Sequence, residues 1–258
     1  MNVNWRKNQK NKSKRFIEID MFRGLALILM IFGHVLWDLD YFGVLPINSG
    51  VYSTLQKIVP QMFFFIVGIG LIVSRKKKDL SSQDEKKYYK HLAFRGLKIF
   101  GLGVLLTVFS FIFIPETPVF FGVLHCIGLS IIISIPFLMF RKLNFIFALL
   151  LIVAGMLFSN IVVQNATIFH LIIGLQPENV WRFTVDYFPL LPWFGVILLG
   201  ISIGDILYCG NKRRFRIPDL NKYKPAKFCS WFGQHSLEIY LLHQPVIAGF
   251  MYLFIRTF

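Results

Sequence analysis

"RGLALILMIFGH", residues 23–34, decides how this chain is read. An arginine opens the stretch, a histidine closes it, and the ten residues between them carry no charge. At 100° per residue, eleven steps along an α-helix return to within about 20° of the start, so both ionisable groups share one face. At 1.5 Å per residue they lie about 16 Å apart along the axis. A helix of this composition suits hydrocarbon, with Arg23 at the headgroup level and His34 at depth. Polar groups inside a bilayer are costly, so each needs a partner or a purpose.

The rest of the 258-residue chain supports a membrane setting. It is 55% hydrophobic with a mean hydropathy of +0.60, and several apolar runs approach the roughly 20 residues that span a bilayer as a helix. The expectation is an all-α, polytopic transmembrane helical bundle forming one domain over 1–258, with 1–20 as a basic cytoplasmic segment. Seven main spans are read at about 22–40, 56–74, 94–114, 119–140, 143–163, 188–208 and 236–256. Short interfacial or re-entrant helices complete the bundle. "TIFHLIIGL" (167–175) is too short to span and belongs to that second group.

The formal charge of +15 does not indicate nucleic acid, because of where it falls. If the chain starts inside and alternates, 24 of the 28 basic residues lie on one side: in the N-terminal segment, in 75–98, at 141–142 and in 212–227. This is the positive-inside pattern. It predicts an integral membrane protein, of the cell membrane in a prokaryote, with the N-terminus cytoplasmic and the C-terminus external. Cys126 lies within a span and Cys209 and Cys229 on the inner side, so no disulfide is expected.

The polar residues at depth are the candidates for chemistry. Asp20 lies three residues before Arg23 and can pair with it. Asp38 lies four residues after His34 and can accept a hydrogen bond from the ring, leaving the other nitrogen free as a base. His125 sits below the outer end of the fourth span. Ser236, Tyr240 and His243 form a polar stripe on the seventh, with Gln244 beside it. Asp186 lies in the long external connection. The competing explanations are a positive-inside anchor for Arg23, interhelical packing for the histidines, Ser236 and Tyr240, and a solvated interfacial loop for Asp186. No two histidines have the i,i+4 spacing of a helical zinc site, so no metal is expected.

Four blocks resemble the heparan-alpha-glucosaminide N-acetyltransferase catalytic-domain family, and its small prokaryotic members in particular. They are "EIDMFRGLALILMIFGHVLWDLDYF" (18–42), "FGVLHCIGLSIII" (121–133), "DYFPLLPWFGVILLGISIG" (186–204) and "GQHSLEIYLLHQPVI" (233–247). The Asp-x-x-Arg-Gly start and the Arg23-to-His34 spacing also resemble the larger membrane acyltransferases that O-acylate envelope sugars. The resemblance implies a transmembrane acyltransferase that carries acetyl from cytoplasmic acetyl-CoA, a co-substrate rather than a bound cofactor, to an amino-sugar or other sugar acceptor. In the O-acylating relatives the matching histidine is the proposed catalytic residue. In animal members of the glucosaminide family an asparagine stands at the place of His34, and a histidine in the first external loop is used instead. That loop here, "YFGVLPINSGVYS" (41–53), contains none.

The expected roles follow from the residues and the resemblance together. His34 and Asp38 are catalytic, and Arg23 and Asp20 receive the acyl-CoA. His125, His243, Tyr240, Gln244 and Asp186 bind the acceptor. The expected partners are the lipid bilayer, acyl-CoA and a sugar or glycolipid acceptor, with a homodimer left open. A small-solute or proton-coupled transporter is the first alternative, because buried histidines with a carboxylate also suit proton relay. The lack of an evident inverted repeat weighs against it. A non-catalytic membrane scaffold is the second alternative.

Overall fold

The computed structural model describes residues 15–46, 49–76, 82–140, 143–209 and 212–257. The basic segment 1–14 and the expected inner turn at 141–142 lie outside these residues, as do Lys77 and Lys78. Among the described residues the chain forms nine α-helices and one two-residue hairpin. The helices are α1 (Ile17–Tyr41), α2 (Ser49–Lys76), α3 (Ser82–Phe113), α4 (Val123–Phe137), α5 (Leu143–Phe158), α6 (Ile168–Ile173), α7 (Leu190–Leu207), α8 (Lys224–Gln234) and α9 (Ser236–Thr257). Strands β1 (Tyr208–Cys209) and β2 (Lys212–Arg213) pair antiparallel.

Each of the seven apolar segments contains a helix, but seven crossings are not established by their lengths. Among the described residues four helices, α1, α2, α3 and α7, are long and apolar enough to cross a membrane. Helices α4 and α5 have 15 and 16 residues, about 22–24 Å at 1.5 Å per residue, against about 30 Å of hydrocarbon. Helix α4 starts at Val123 rather than near 119. Residues before it run extended, and Phe121 pairs with Tyr187 in a parallel bridge. Helix α9 carries His243, Gln244 and Pro245 at its centre, and these lower its apolarity. The "TIFHLIIGL" piece forms the short helix α6, ended by Gly174 in the left-handed conformation (φ +112°).

The helices pack through glycines because lipid supplies no hydrophobic force between them, and close backbone contact has to replace it. A Cβ on Gly68 of α2 would lie 2.0 Å from the Ile197 carbonyl oxygen of α7, and one on Gly200 of α7 would lie 2.2 Å from that of Phe65. Gly96 of α3 and Gly128 of α4 meet in the same way. The buried core runs through these contacts, with Phe64, Ile131, Ile197, Leu198 and Ile201 almost fully enclosed. The outer faces of α3, α5 and α9 stay apolar and exposed, as lipid contact requires.

Helix α8 lies in a stretch that reads as an inner linker. Lys224 and Pro225 open it, since proline at the first turn loses no helical hydrogen bond. Ala226, Ser230 and Gly233 recur at i, i+4 and i+7 and make one buried small-residue face. That face sits on α1. A Cβ on Gly24 would stand 1.8 Å from the Cys229 carbonyl oxygen, and one on Gly233 would stand 1.8 Å from that of Asp20. The start of α1 is held a second time by the hairpin. Arg213 donates from Nε and Nη2 to the two Glu18 carboxylate oxygens at 2.7 and 2.9 Å, a bidentate pairing. Lys76 closes the end of α7 through the Asp205 and Tyr208 carbonyls.

Candidate functional site

The Arg23 guanidinium is the inner end of the site. It donates to Asp20 at 3.0 Å and to the Gly233 carbonyl at 3.3 Å. The second bond exists because Gly24 and Gly233 let α8 approach α1 at backbone distance. Arg23 keeps 24% of its side chain exposed, so the guanidinium is anchored on one edge and open on another. Its five donors exceed the two it uses here, which leaves capacity for an anion.

Higher along the same face, His34 meets α9. The rings of His34 and His243 lie 4.8 Å apart between centroids, tilted by 56°. Gly233 of α8 meets Gly24 at one level of α1, and His243 of α9 meets His34 further along it. Asp38 is 2% exposed. The hydrogen bond expected from His34 to Asp38 along α1 is not among those made by the described residues. Asp38 accepts from the side-chain amide of Gln244 instead, at 3.1 and 3.3 Å. The reason is tertiary: Gln244 aims its amide at the carboxylate from a neighbouring helix, while the His34 ring turns to His243.

His243 and Tyr240 form one unit. His243 Nδ1 sits 2.5 Å from the Tyr240 carbonyl oxygen, and their rings are 5.5 Å apart. Tyr240 lies within electrostatic reach of Asp186. Asp186 in turn accepts a hydrogen bond from the Val123 backbone N–H at 3.2 Å, capping the start of α4. Burial raises the Asp186 carboxyl to about 6. Tyr240 therefore adjoins His243 and feels the charge of Asp186 in the external connection.

His125 stands apart from these groups in its bonding. Its Nδ1 accepts from the Gly122 N–H at 3.3 Å, and its Nε2 lies 3.4 Å from the Thr107 hydroxyl oxygen. Both nitrogens serve the joint between α3 and α4. The ring also packs edge-on to Phe100 and stacks on Phe121. Among the described residues no three histidine, cysteine or acidic side chains converge as a metal site.

Two features of the site escape a reading of the sequence. Tyr52 lies beside Gln56 at the start of α2, within electrostatic reach of Asp38 and Asp40, and an open depression lined by Gly50, Val51, Thr54 and Leu55 adjoins it. A Cβ on Gly33, the residue before His34, would meet Leu55 at 3.9 Å. The polar residues of "VYSTLQ" (51–56) were the available signal, but nothing in that run says which helix they face. The second feature is α8, whose contact with Arg23 depends on a packing that spacing alone does not reveal.

Residues 15–245 match the family described as heparan-alpha-glucosaminide N-acetyltransferase, catalytic. The chain belongs to that family. The match covers Asp20, Arg23, His34, Asp38, His125, Asp186, Tyr240, His243 and Gln244 in one continuous span. Comparison with curated proteins and with solved structures gives no match. Family membership together with the long apolar helices makes this an integral membrane protein of the acetyltransferase kind.

Proposed function

We propose that this chain takes acetyl from cytoplasmic acetyl-CoA and transfers it to an amino-sugar or other sugar acceptor at or across the membrane. The observation that carries the reading is the placement of Arg23 and the His34–His243 pair on one face of α1, with an open guanidinium at one end and two facing imidazoles at the other. In this reading the N-terminus is cytoplasmic, the C-terminus external, and α4, α5 and α9 complete seven crossings. The positive-inside distribution of charge supports that orientation.

Cytoplasmic acetyl-CoA docks its phosphates on the basic inner face, with Arg23 at the entrance. A guanidinium that holds Asp20 with one nitrogen can receive phosphate or the thioester region with another. The pantetheine arm is long and thin, and follows α1 toward His34. The acceptor approaches from the side of Asp186 and Tyr240, where a carboxylate suits an amino sugar. Asp38 acts through Gln244 to hold α9 in place. Transfer then occurs directly from the thioester to the acceptor at the histidine pair.

The test is purified full-length protein in lipid, labelled acetyl-CoA, and a panel of amino sugars and neutral sugars. The expected result is label on an acceptor with stoichiometric release of CoA thiol, abolished in His34→Ala. No release of CoA with any acceptor, or full activity in His34→Ala, overturns the reading.

A further inference from the structure

We propose that His243 is the base of the transfer and that His34 relays its proton to the departing sulfur. This deepens the acetyltransferase reading and rests on it. Three histidines face the helix bundle from α1, α4 and α9, and their hydrogen bonds sort them by what each can do. His125 has both nitrogens engaged, one by the Gly122 N–H and one by Thr107. No lone pair is left for a substrate. His243 differs. Its Nδ1 faces the Tyr240 carbonyl oxygen, and a carbonyl only accepts, so Nδ1 carries the proton and Nε2 carries the lone pair. Nε2 is buried, and it has no hydrogen-bond partner among the described residues. A base needs this arrangement: one nitrogen fixed as a donor, the other bare and pointing inward.

The surroundings hold the ring in that state. Gln244 follows His243 in the chain and is clamped to the Asp38 carboxylate by two hydrogen bonds. The turn of α9 that carries both residues is therefore pinned to α1. Gln244 is a positioning residue here, and its Oε1 is also buried without a partner among the described residues. The His34 ring of α1 lies 4.8 Å away between centroids and offers a route by which a proton can leave.

The step balances without an outside reagent. An ammonium acceptor first gives its extra proton to solvent, and His243 Nε2 then takes a proton from the neutral amine nitrogen or the hydroxyl oxygen. That atom's electron pair forms the new bond to the thioester carbonyl carbon, and the C–S bond breaks with its electrons going to sulfur. The imidazolium of His243 passes the Nε2 proton to His34, and His34 gives one to the thiolate. Both rings end neutral, CoA leaves as the thiol, and nothing is oxidised or reduced.

The test compares wild type with His243→Asn and His34→Ala, as full-length protein in lipid with acetyl-CoA and glucosamine. Asparagine keeps a donor for the Tyr240 carbonyl but removes the base. The expected result is a fall in kcat of about 10²–10⁴-fold with the KM for acetyl-CoA unchanged, and loss of the rising limb of the kcat–pH profile. Should His243→Asn fail to fold, His243→Gln takes its place with the same expectation. Wild-type turnover that survives in His243→Asn or His243→Gln, while His34→Ala is inactive, overturns this proposal and leaves the acetyltransferase reading standing. A low-activity His243 variant whose pH profile keeps the wild-type limb also overturns it. Absence of turnover in wild type with every acceptor overturns both.

Discussion

Gln244 of α9 donates its side-chain amide to both carboxylate oxygens of Asp38 of α1, at 3.1 and 3.3 Å. The two residues are 206 positions apart in the chain, and their bond fixes the register between the first and last helices. On the other side of α9, Leu242, Val246 and Phe250 face outward. Replacing Gln244 by Leu leaves a buried carboxylate without its donor, which costs about 1–3 kcal/mol. The expected outcome is a lower thermal midpoint in detergent together with a large loss of transfer rate. A variant with wild-type midpoint and wild-type rate contradicts the clamp.

Gly233 and Gly24 carry α8 onto α1. Any side chain at Gly233 drives into the Asp20 carbonyl, since even a Cβ would lie 1.8 Å from it. Gly233→Ala should separate α8 from α1 and take away the Gly233 carbonyl bond to Arg23. Both stability and acetyl-CoA affinity should fall. Thermal unfolding and equilibrium binding of acetyl-CoA check this, and unchanged values in both argue against the contact.

Arg23→Lys tests what the guanidinium is for. Lysine can still pair with Asp20 but cannot hold Asp20, the Gly233 carbonyl and an anion in one plane. The KM for acetyl-CoA should rise with little change in kcat. A drop confined to kcat would place Arg23 at the reacting atoms instead of at the entrance.

His125→Ala should act on stability and not on chemistry. Both ring nitrogens are engaged at the joint of α3 and α4, so truncation takes the acceptor from the Gly122 N–H, while Thr107 keeps its bond to the Val119 carbonyl. A reduced thermal midpoint with near-normal kcat per folded molecule is expected. Total loss of kcat in a fully folded His125→Ala would contradict a purely structural role.

The Asp186 carboxyl is raised from 3.8 to about 6 by burial. A raised acid favours the protonated folded state. Its contribution to stability is therefore complete below about pH 4 and is lost as pH rises through about 6. Asp186→Asn should remove that decline, so the thermal midpoints of wild type and variant diverge between pH 4 and 7. For a cationic amino sugar the ionised carboxylate is the binding form. The acceptor KM of wild type should rise as pH falls through about 6, and that of Asp186→Asn should not. Parallel pH profiles in the two proteins would disconnect Asp186 from the acceptor.

Much of the architecture can be read from residue order. Apolar runs and Pro, Gly and polar breaks locate the apolar body of every long helix, because apolarity is a local property, but α2 and α3 begin at Ser49 and Ser82, well before the expected 56 and 94, in polar turns that carry no apolar signal. The one-sided basic loops support the proposed orientation, since charge placement is likewise local. The Arg23–Asp20 neighbourhood is equally local, being three residues apart on one helix. The start of α4 is less legible: the apolar residues before Val123 are spent on extended contacts with the 184–188 segment, a competition that periodicity does not show.

The pairing of side chains between helices lies beyond that reach. The sequence by itself determined an apolar helical protein with Arg23 and His34 on one face and with His243 and Gln244 at the centre of the last helix. Only the tertiary structure decided that Asp38 belongs to Gln244 and not to His34, that His243 stands against His34, and that α8 brings Gly233 to Arg23. The physical reason is that each of these contacts joins residues about 200 positions apart. It depends on helix rotation and on glycines that let backbones touch. Local spacing places a side chain on a face of its own helix, but the neighbouring helix decides what that face meets.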